Sequence, residues 1–277
     1  MGYKTILTVV SELDQKLQLD SAIAMAQRED AHLDIFCVGV DHTQSGYYYP
    51  GASAYVFQES IDKAMASAAD VENAVRERMA REQIRWSVTS AVTQLGGLTT
   101  LIAMRARYAD LVVLSRPYGD IASREGETVT EAALFEGSCP VLIVPGTLTE
   151  PFGKRILVAW NQSSEAMVAV RRAMPLLQAA ESVEITVIDP SPHGPERSDP
   201  GVALCQMLTR QGVKADIAVL ARTMPQVSDM INRRAVEIGA DMIVMGAYGH
   251  SRFRQAILGG ATRNMLEKAS VPVFMAR

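Results

Sequence analysis

Short runs of β-branched or leucine-rich residues alternate along this chain with longer stretches in which apolar positions recur at helical spacing. Residues 6–10 form one such run, residues 17–27 carry the helical pattern, and residues 35–40 form the next run. Successive side chains of a strand point to opposite faces, so a strand with one wet face alternates between apolar and polar residues. Leu111-Val112-Val113-Leu114 and Met242-Ile243-Val244-Met245 do not alternate. Uninterrupted runs of this kind suit a parallel sheet covered by helices on both faces. The pattern predicts an α/β fold.

The pattern is also written twice. Residues 4–10 match 154–160 and residues 34–38 match 184–188, both at an offset of 150. Ala109-Asp110-Leu111-Val112-Val113-Leu114 matches Ala240-Asp241-Met242-Ile243-Val244-Met245 at an offset of 131, and residues 138–143 match 270–275 at 132. Four matched segments in one order indicate an internal duplication. Two glycines and a proline without periodicity mark a linker at 146–153, which divides the chain into domains 1–148 and 149–277. Each half is expected to be a doubly wound domain with a five-stranded parallel sheet. The falling offset places extra residues in the first half between its second and third strands, around 42–60, where Tyr47-Tyr48-Tyr49-Pro50-Gly51 stands. An aromatic insertion of this kind either offers a partner surface or folds back over its own domain.

One candidate site stands out. Met245-Gly246-Ala247-Tyr248-Gly249 leaves a predicted strand, and Gly259-Gly260-Ala261-Thr262 opens the last predicted helix. Glycine lets backbone approach a phosphate closely, and the unpaired amides of a helix's first turn, backed by its dipole, receive phosphate oxygens. Thr262 can add a hydroxyl or cap the helix. On spacing alone, two turns and a helix start explain the glycines equally well. In doubly wound sheets, ligands sit outside the carboxyl ends of the strands at a switch point in their order, which is where this loop must lie.

The formal charge of −4 and pI near 5.7 give no reason to expect a nucleic-acid partner. Cys37, Cys139 and Cys205 are far apart, sit in or beside apolar runs and suit buried small hydrophobes in a reducing cytosol. His32, His42, His193 and His250 have no carboxylate or cysteine at ligand spacing, so no metal site is expected. The first residues turn directly into an apolar run without the charged and apolar regions of an export signal, Ile6 stands where a myristoylation motif needs Ser or Thr, and no run reaches membrane-spanning length. Neither G-x-x-x-x-G-K-[S/T], G-x-G-x-x-G nor H-E-x-x-H occurs, and residues 249–253 lack the second glycine of a nucleophile elbow.

The duplication and the glycine loop together resemble the universal stress protein family over nearly the whole length, in its tandem two-domain form. Members carry G-x2-G-x9-G-[S/T] after the fourth strand. Here Gly246-x2-Gly249-x9-Gly259 keeps all three glycines, with His250-Ser251-Arg252 after the second and a family-like last strand at Ser270-Val271-Pro272-Val273-Phe274-Met275. The resemblance implies two Rossmann-like domains of the adenine nucleotide alpha hydrolase-like kind. It implies binding of ATP, ADP or AMP, with or without Mg2+, and no dedicated catalytic reaction beyond, at most, weak ATP hydrolysis. Met245, Gly246, Gly249, Gly259, Gly260 and Ala261 would line the phosphate end, with His250 and Thr262 beside them. The adenosine end would meet Ala159, Trp160 and Asn161 after the first strand of the second half and Val187 and Ile188 on the second.

Two positions depart from the family pattern. Gly260 replaces Ser or Thr and removes a hydroxyl donor, and Asn161 replaces Asp and removes a charge. In the first half Ser115-Arg116-Pro117-Tyr118 and Glu127-Thr128 occupy the motif positions, and the Glu127 carboxylate would repel phosphate, so no ATP binding is expected through that loop. The resemblance further implies that the last strands, 141–144 and 271–275, pair as edges between the domains, and a homodimer through such edges is an additional option. The expected protein is cytoplasmic, with an adenine nucleotide and an unknown protein as partners and neither nucleic acid nor membrane. The alternative is a scaffold of the same fold that binds no nucleotide.

Overall fold

Where the sequence alternates apolar runs with helical patterns, the computed structural model alternates strands with helices. It describes residues 2–42, 54–119, 122–148, 150–190, 199–247 and 260–277, without the side chains of 54–57. Two compact units form, 3–139 and 140–277. In the first, β1 (Thr5–Val10), α1 (Lys16–Glu29), β2 (His32–Asp41), α2 (Ala54–Met79), β3 (Arg85–Gln94), α3 (Leu95–Ala106), β4 (Leu111–Ser115) and α4 (Gly126–Phe135) follow one another. The strands lie in the order β3-β2-β1-β4, all parallel. Residues 111–113 of β4 are fully buried, as an all-apolar strand between two helical layers must be.

The second unit holds β5 (Val141–Val144), β6 (Arg155–Ala159), α5 (Ser164–Arg172), α6 (Met174–Ala179), β7 (Ser182–Ile188), α7 (Val202–Arg210), β8 (Ala215–Leu220), α8 (Val227–Glu237), β9 (Met242–Gly246), α9 (Ala261–Lys268) and β10 (Val273–Ala276). Five strands run parallel in the order β10-β9-β6-β7-β8. β5 adds a sixth, antiparallel to β10, with Leu142 opposite Phe274. The compact units therefore part at 139/140, ahead of the 146–153 linker, because β5 pairs with β10. β10 lies between β5 and β9, so it has no open edge, and a homodimer could not use it as one.

The duplication extends to individual hydrogen bonds. Asp110 accepts the amides of Lys4 (2.7 Å) and Thr5 (2.9 Å) at the amino ends of β1 and β4. Asp241 accepts those of Lys154 (2.9 Å) and Arg155 (3.0 Å) at the amino ends of β6 and β9. In each unit a carboxylate fixes the central strand against its neighbour with charge-assisted bonds. β1 and β6 each have the next strand on one side and the fourth on the other, which creates a switch point at their carboxyl ends.

The extra length of the first half resides largely in a helix. α2 has 26 residues where its counterpart α7 has nine. The tyrosine-rich segment at 47–51 lies outside the described residues. Cys37 and Cys139 are buried and Cys205 is half-buried. Burial, with a smaller push from the Glu72 carboxylate, raises the Cys37 thiol to about 12. Among the described residues no helix is long and apolar enough to cross a membrane.

Candidate functional site

At the carboxyl edge of the second unit, the tips of β6, β9 and β7 lie side by side. Ala159 pairs in register with Met245 on one flank and Thr186 on the other, and Gly246 pairs with Ala276 of β10. Trp160 continues the ladder one residue past β6, its amide donating to the Thr186 carbonyl at 3.0 Å. Its side chain is 6% exposed, and its Nε1 has no hydrogen-bond partner among the described residues. Indole is a donor only, and a buried donor without an acceptor costs about 1–3 kcal/mol. An acceptor supplied by a ligand would relieve that cost.

The turn after Trp160 is built by short polar side chains. Asn161 Oδ1 accepts the Ser163 amide at 3.1 Å, Gln162 takes a left-handed conformation at φ 64, and Ser163 Oγ caps α5 by accepting the Ala166 amide at 3.1 Å. Asn161 thus makes the turn that Asp would make, and it keeps a second lone pair and its NH2 for a ligand. The first turn of α5 then packs on the tip of β9. A Cβ on Gly246 would stand 2.5 Å from the Ala166 nitrogen and 2.7 Å from the Glu165 carbonyl carbon. Gly246 is required by this approach of helix to strand, a reason that differs from the phosphate contact expected of it. Ser163 as a helix cap went unread in the sequence, although its position just ahead of the 164–172 helix is a recognisable signal.

Val187 is buried and Ile188 half-buried at the end of β7. Behind them Arg234 of α8 clamps Glu184 with two hydrogen bonds (2.7 and 2.8 Å), and Thr186 Oγ1 donates to the same carboxylate at 2.9 Å. Burial pushes the Glu184 carboxyl up, but the bonds from Arg234 and Thr186 and the Arg234 charge outweigh it, so the group titrates below the usual carboxylate range. The clamp holds β7 beside Trp160.

α9 begins at Ala261 from an extended N-cap, Gly260, which offers no side-chain cap. The positive end of the helix dipole lies there, a field that favours an anion. Ala261 is half-buried and Thr262 buried. α9 packs on α8, and Asn264 Nδ2 donates to Gln226 Oε1, just ahead of α8. Gly249, His250 and Gly259 lie outside the described residues. The structure thus brings Ala159, Trp160, Asn161, Met245 and Gly246 together, with Val187 and Ile188 one strand away. The orphan indole N–H of Trp160 lies among these residues.

In the first unit the gap between the carboxyl ends of β1 and β4 is closed from within. Gln18 of α1 is 1% exposed; its Nε2 donates to the Val9 carbonyl (2.6 Å) and Thr8 Oγ1 (3.1 Å), while its Oε1 accepts the amide and hydroxyl of Ser115, both at 2.9 Å. Ser115 occupies the position of Gly246, so its amide is already satisfied by a side chain. Glu125 caps α4 by position and Glu127 sits in its first turn, accepting the Tyr118 hydroxyl at 2.8 Å.

Comparison with known proteins agrees with this geometry. Residues 153–277 match the model of the Universal stress protein family. A segment of 72 residues is 32% identical to the universal stress protein Slr1230 of Synechocystis, a match covering 26% of this chain and 24% of that protein. The crystal structure of a universal stress protein from Archaeoglobus fulgidus superposes with a TM-score of 0.70 at 15% identity, covering 99% of this chain and 96% of that one. PA1789 of Pseudomonas aeruginosa, functionally unknown, superposes at 0.58 with 18% identity, covering 99% and 92%. These two likenesses establish the tandem α/β fold. The match over 153–277 takes in the site just described, and the second unit of this chain is a domain of the universal stress protein family.

Proposed function

We propose that this protein is a cytoplasmic stress-response or signalling protein whose second unit binds one adenine nucleotide and whose occupancy, in place of a catalytic turnover, is its output. The observation that carries the reading is the buried Trp160 indole N–H without an acceptor at the tip of β6, within a domain matched to the universal stress protein family. The N-terminal end of α9, with its dipole, would face the phosphates, while Trp160, Asn161, Val187 and Ile188 would face the nucleoside. Gly260 lacks the hydroxyl common in the family, which lowers affinity without removing the amides. The first unit is read as having lost this function, because Gln18 holds the Ser115 amide and Glu125 and Glu127 set carboxylates at the mouth of α4.

The test is calorimetric titration of ATP, ADP and AMP into the wild-type protein and a Gly260→Asp variant. Gly260 has an extended conformation that Asp adopts freely, and Asp is a favoured N-cap, so the variant should fold with equal or slightly higher stability. Its carboxylate would repel phosphate and weaken ATP binding by about tenfold or more. No saturable heat from the wild type would leave a scaffold without nucleotide as the reading, and steady release of phosphate would favour an ATPase.

A further inference from the structure

The first unit has an opening of its own at the carboxyl ends of its strands, where Ser11, Glu12 and Val38 stand at the repeat positions of Asn161, Gln162 and Ile188. The carboxyl ends of β1 and β2, the start of α2 and the approach to α4 enclose a polar chamber of about 360 Å3, whose lining includes Ser11, Glu12, His42, Lys63, Arg124 and Glu125. Between α1 and α2 lies a crevice of about 150 Å3 with apolar walls, including Val10, Leu13, Leu19, Val71 and Val75. The two are consecutive along one face of α2. Ser60, Ala64 and Ser67 line the chamber, and Val71, Ala74, Val75 and Arg78 line the crevice, at the three- and four-residue spacing that keeps side chains on one side of a helix. Glu12 lines both spaces and marks their junction.

The ionisable groups there sort into those that already have a side-chain partner and those that do not. His42 Nε2 pairs with Glu125 at 3.0 Å, Lys63 with Glu59 at 2.7 Å, and Arg78 with Asp20 at 2.9 Å. Lys16 lines the crevice from the exposed side of α1 and is solvated. Glu12 and Arg124 are different. The Arg124 amide donates to Glu12 Oε1 at 3.2 Å, which places the two residues side by side, yet neither side chain has an ion-pair partner among the described residues. Glu12, which lines both spaces, thus stands next to Arg124, which lines the chamber, and each side chain is open to a counter-charge.

We propose that the first unit binds a small zwitterion with an apolar tail, in chemical class an α-amino acid with an aliphatic or aromatic side chain. Its ammonium meets Glu12, its carboxylate meets the Arg124 fork, and its side chain enters the crevice between α1 and α2. Both charges of such a ligand find a partner, whereas a simple anion would meet the Glu12 carboxylate and a simple cation would leave Arg124 open. The tail is limited by volume: an apolar space of about 150 Å3 takes up a benzene-sized guest, so a side chain of roughly four to seven carbons, as in leucine or phenylalanine, suits it.

The test is calorimetry on the full chain with L-phenylalanine, L-leucine, glycine, hexanoate and hexylamine. L-phenylalanine or L-leucine should give a saturable heat, and glycine, hexanoate and hexylamine should bind at least about tenfold more weakly, since each loses the tail or one charged contact. Arg124→Gln and Glu12→Gln, polar swaps at the surface that leave the core intact, should each weaken binding by a similar factor. Val75→Trp, checked for native melting, should abolish it by filling the crevice. The proposal is overturned if neither amino acid gives a saturable heat at millimolar concentration. It also fails if hexanoate or hexylamine binds as tightly as phenylalanine, or if Arg124→Gln and Glu12→Gln both bind unchanged. ATP titrated into the same samples reports the second unit separately, so failure of one site is distinguishable from failure of the other.

Discussion

Gly246 shows why a residue visible in a sequence does not disclose its role. Its glycine identity was plain, and the phosphate motif supplied a reason for it, but the contact that forbids a side chain is the first turn of α5, 80 residues earlier in the chain. A Gly246→Ala variant should therefore lose about 1–3 kcal/mol of stability even without nucleotide, because the new Cβ must push helix from strand; thermal denaturation of the ligand-free protein reads this directly. Gln18 was equally visible and carried no signal at all, since a glutamine in a helix is ordinary until its partners on β1 and β4 are known. Cysteine chemistry was more legible: apolar neighbours foretold burial. With its thiol raised to about 12, Cys37 should resist a thiol reagent at mildly alkaline pH in the folded protein, while the half-buried Cys205 reacts first; labelling followed by peptide mapping distinguishes them.

Among the elements, the strands were the most legible, because uninterrupted apolar runs leave few alternatives, and the helices less so at their ends. The 18-residue excess in the first half was detected but assigned to a loop around 42–60, whereas much of it extends α2, whose polar outer face hides the continuation. Side-chain pairing between elements was illegible: nothing in the sequence joins Glu184 of β7 to Arg234 of α8 across 50 residues. That pair gives the second unit a pH dependence of definite sign. The folded Glu184 carboxyl titrates below its ordinary 4.5, so its stabilisation is complete above that pH and is lost as pH falls through the lower, folded value. Arg234→Met should cost about 1–3 kcal/mol at neutral pH, and the gap from wild type should narrow below pH 4.5 as Glu184 protonates in both; urea titrations across pH 3–7 test it.

At the scale of the whole molecule, the duplication was fully legible, since four segments recur in order, and the clamps at Asp110 and Asp241 show that the repetition is mechanical as well as textual. The partition of strands was legible only through the family resemblance, which implied the pairing of 141–144 with 271–275 that β5 and β10 make; a short apolar strand by itself does not name its neighbour. β5 matters to the second sheet: Leu142, fully buried, faces Phe274 in register. Leu142→Lys would bury an unpaired charge, detach β5 and expose β10 as an apolar edge, so we expect a lower melting temperature together with self-association, measured by light scattering. The candidate site was legible as a stretch of chain and illegible as a surface, since Trp160 and Gly246 meet only once the strands are ordered.

The hydrogen bonds of Gln18 to Ser115 bear on how such a chain can report a nucleotide. With one copy of the frame closed to nucleotide, a single chain has one nucleotide site and titrates nucleotide as a simple hyperbola. Steepness in any cellular dose-response to nucleotide would then have to arise between chains or in whatever reads them, for a lone nucleotide site has no like site with which to cooperate.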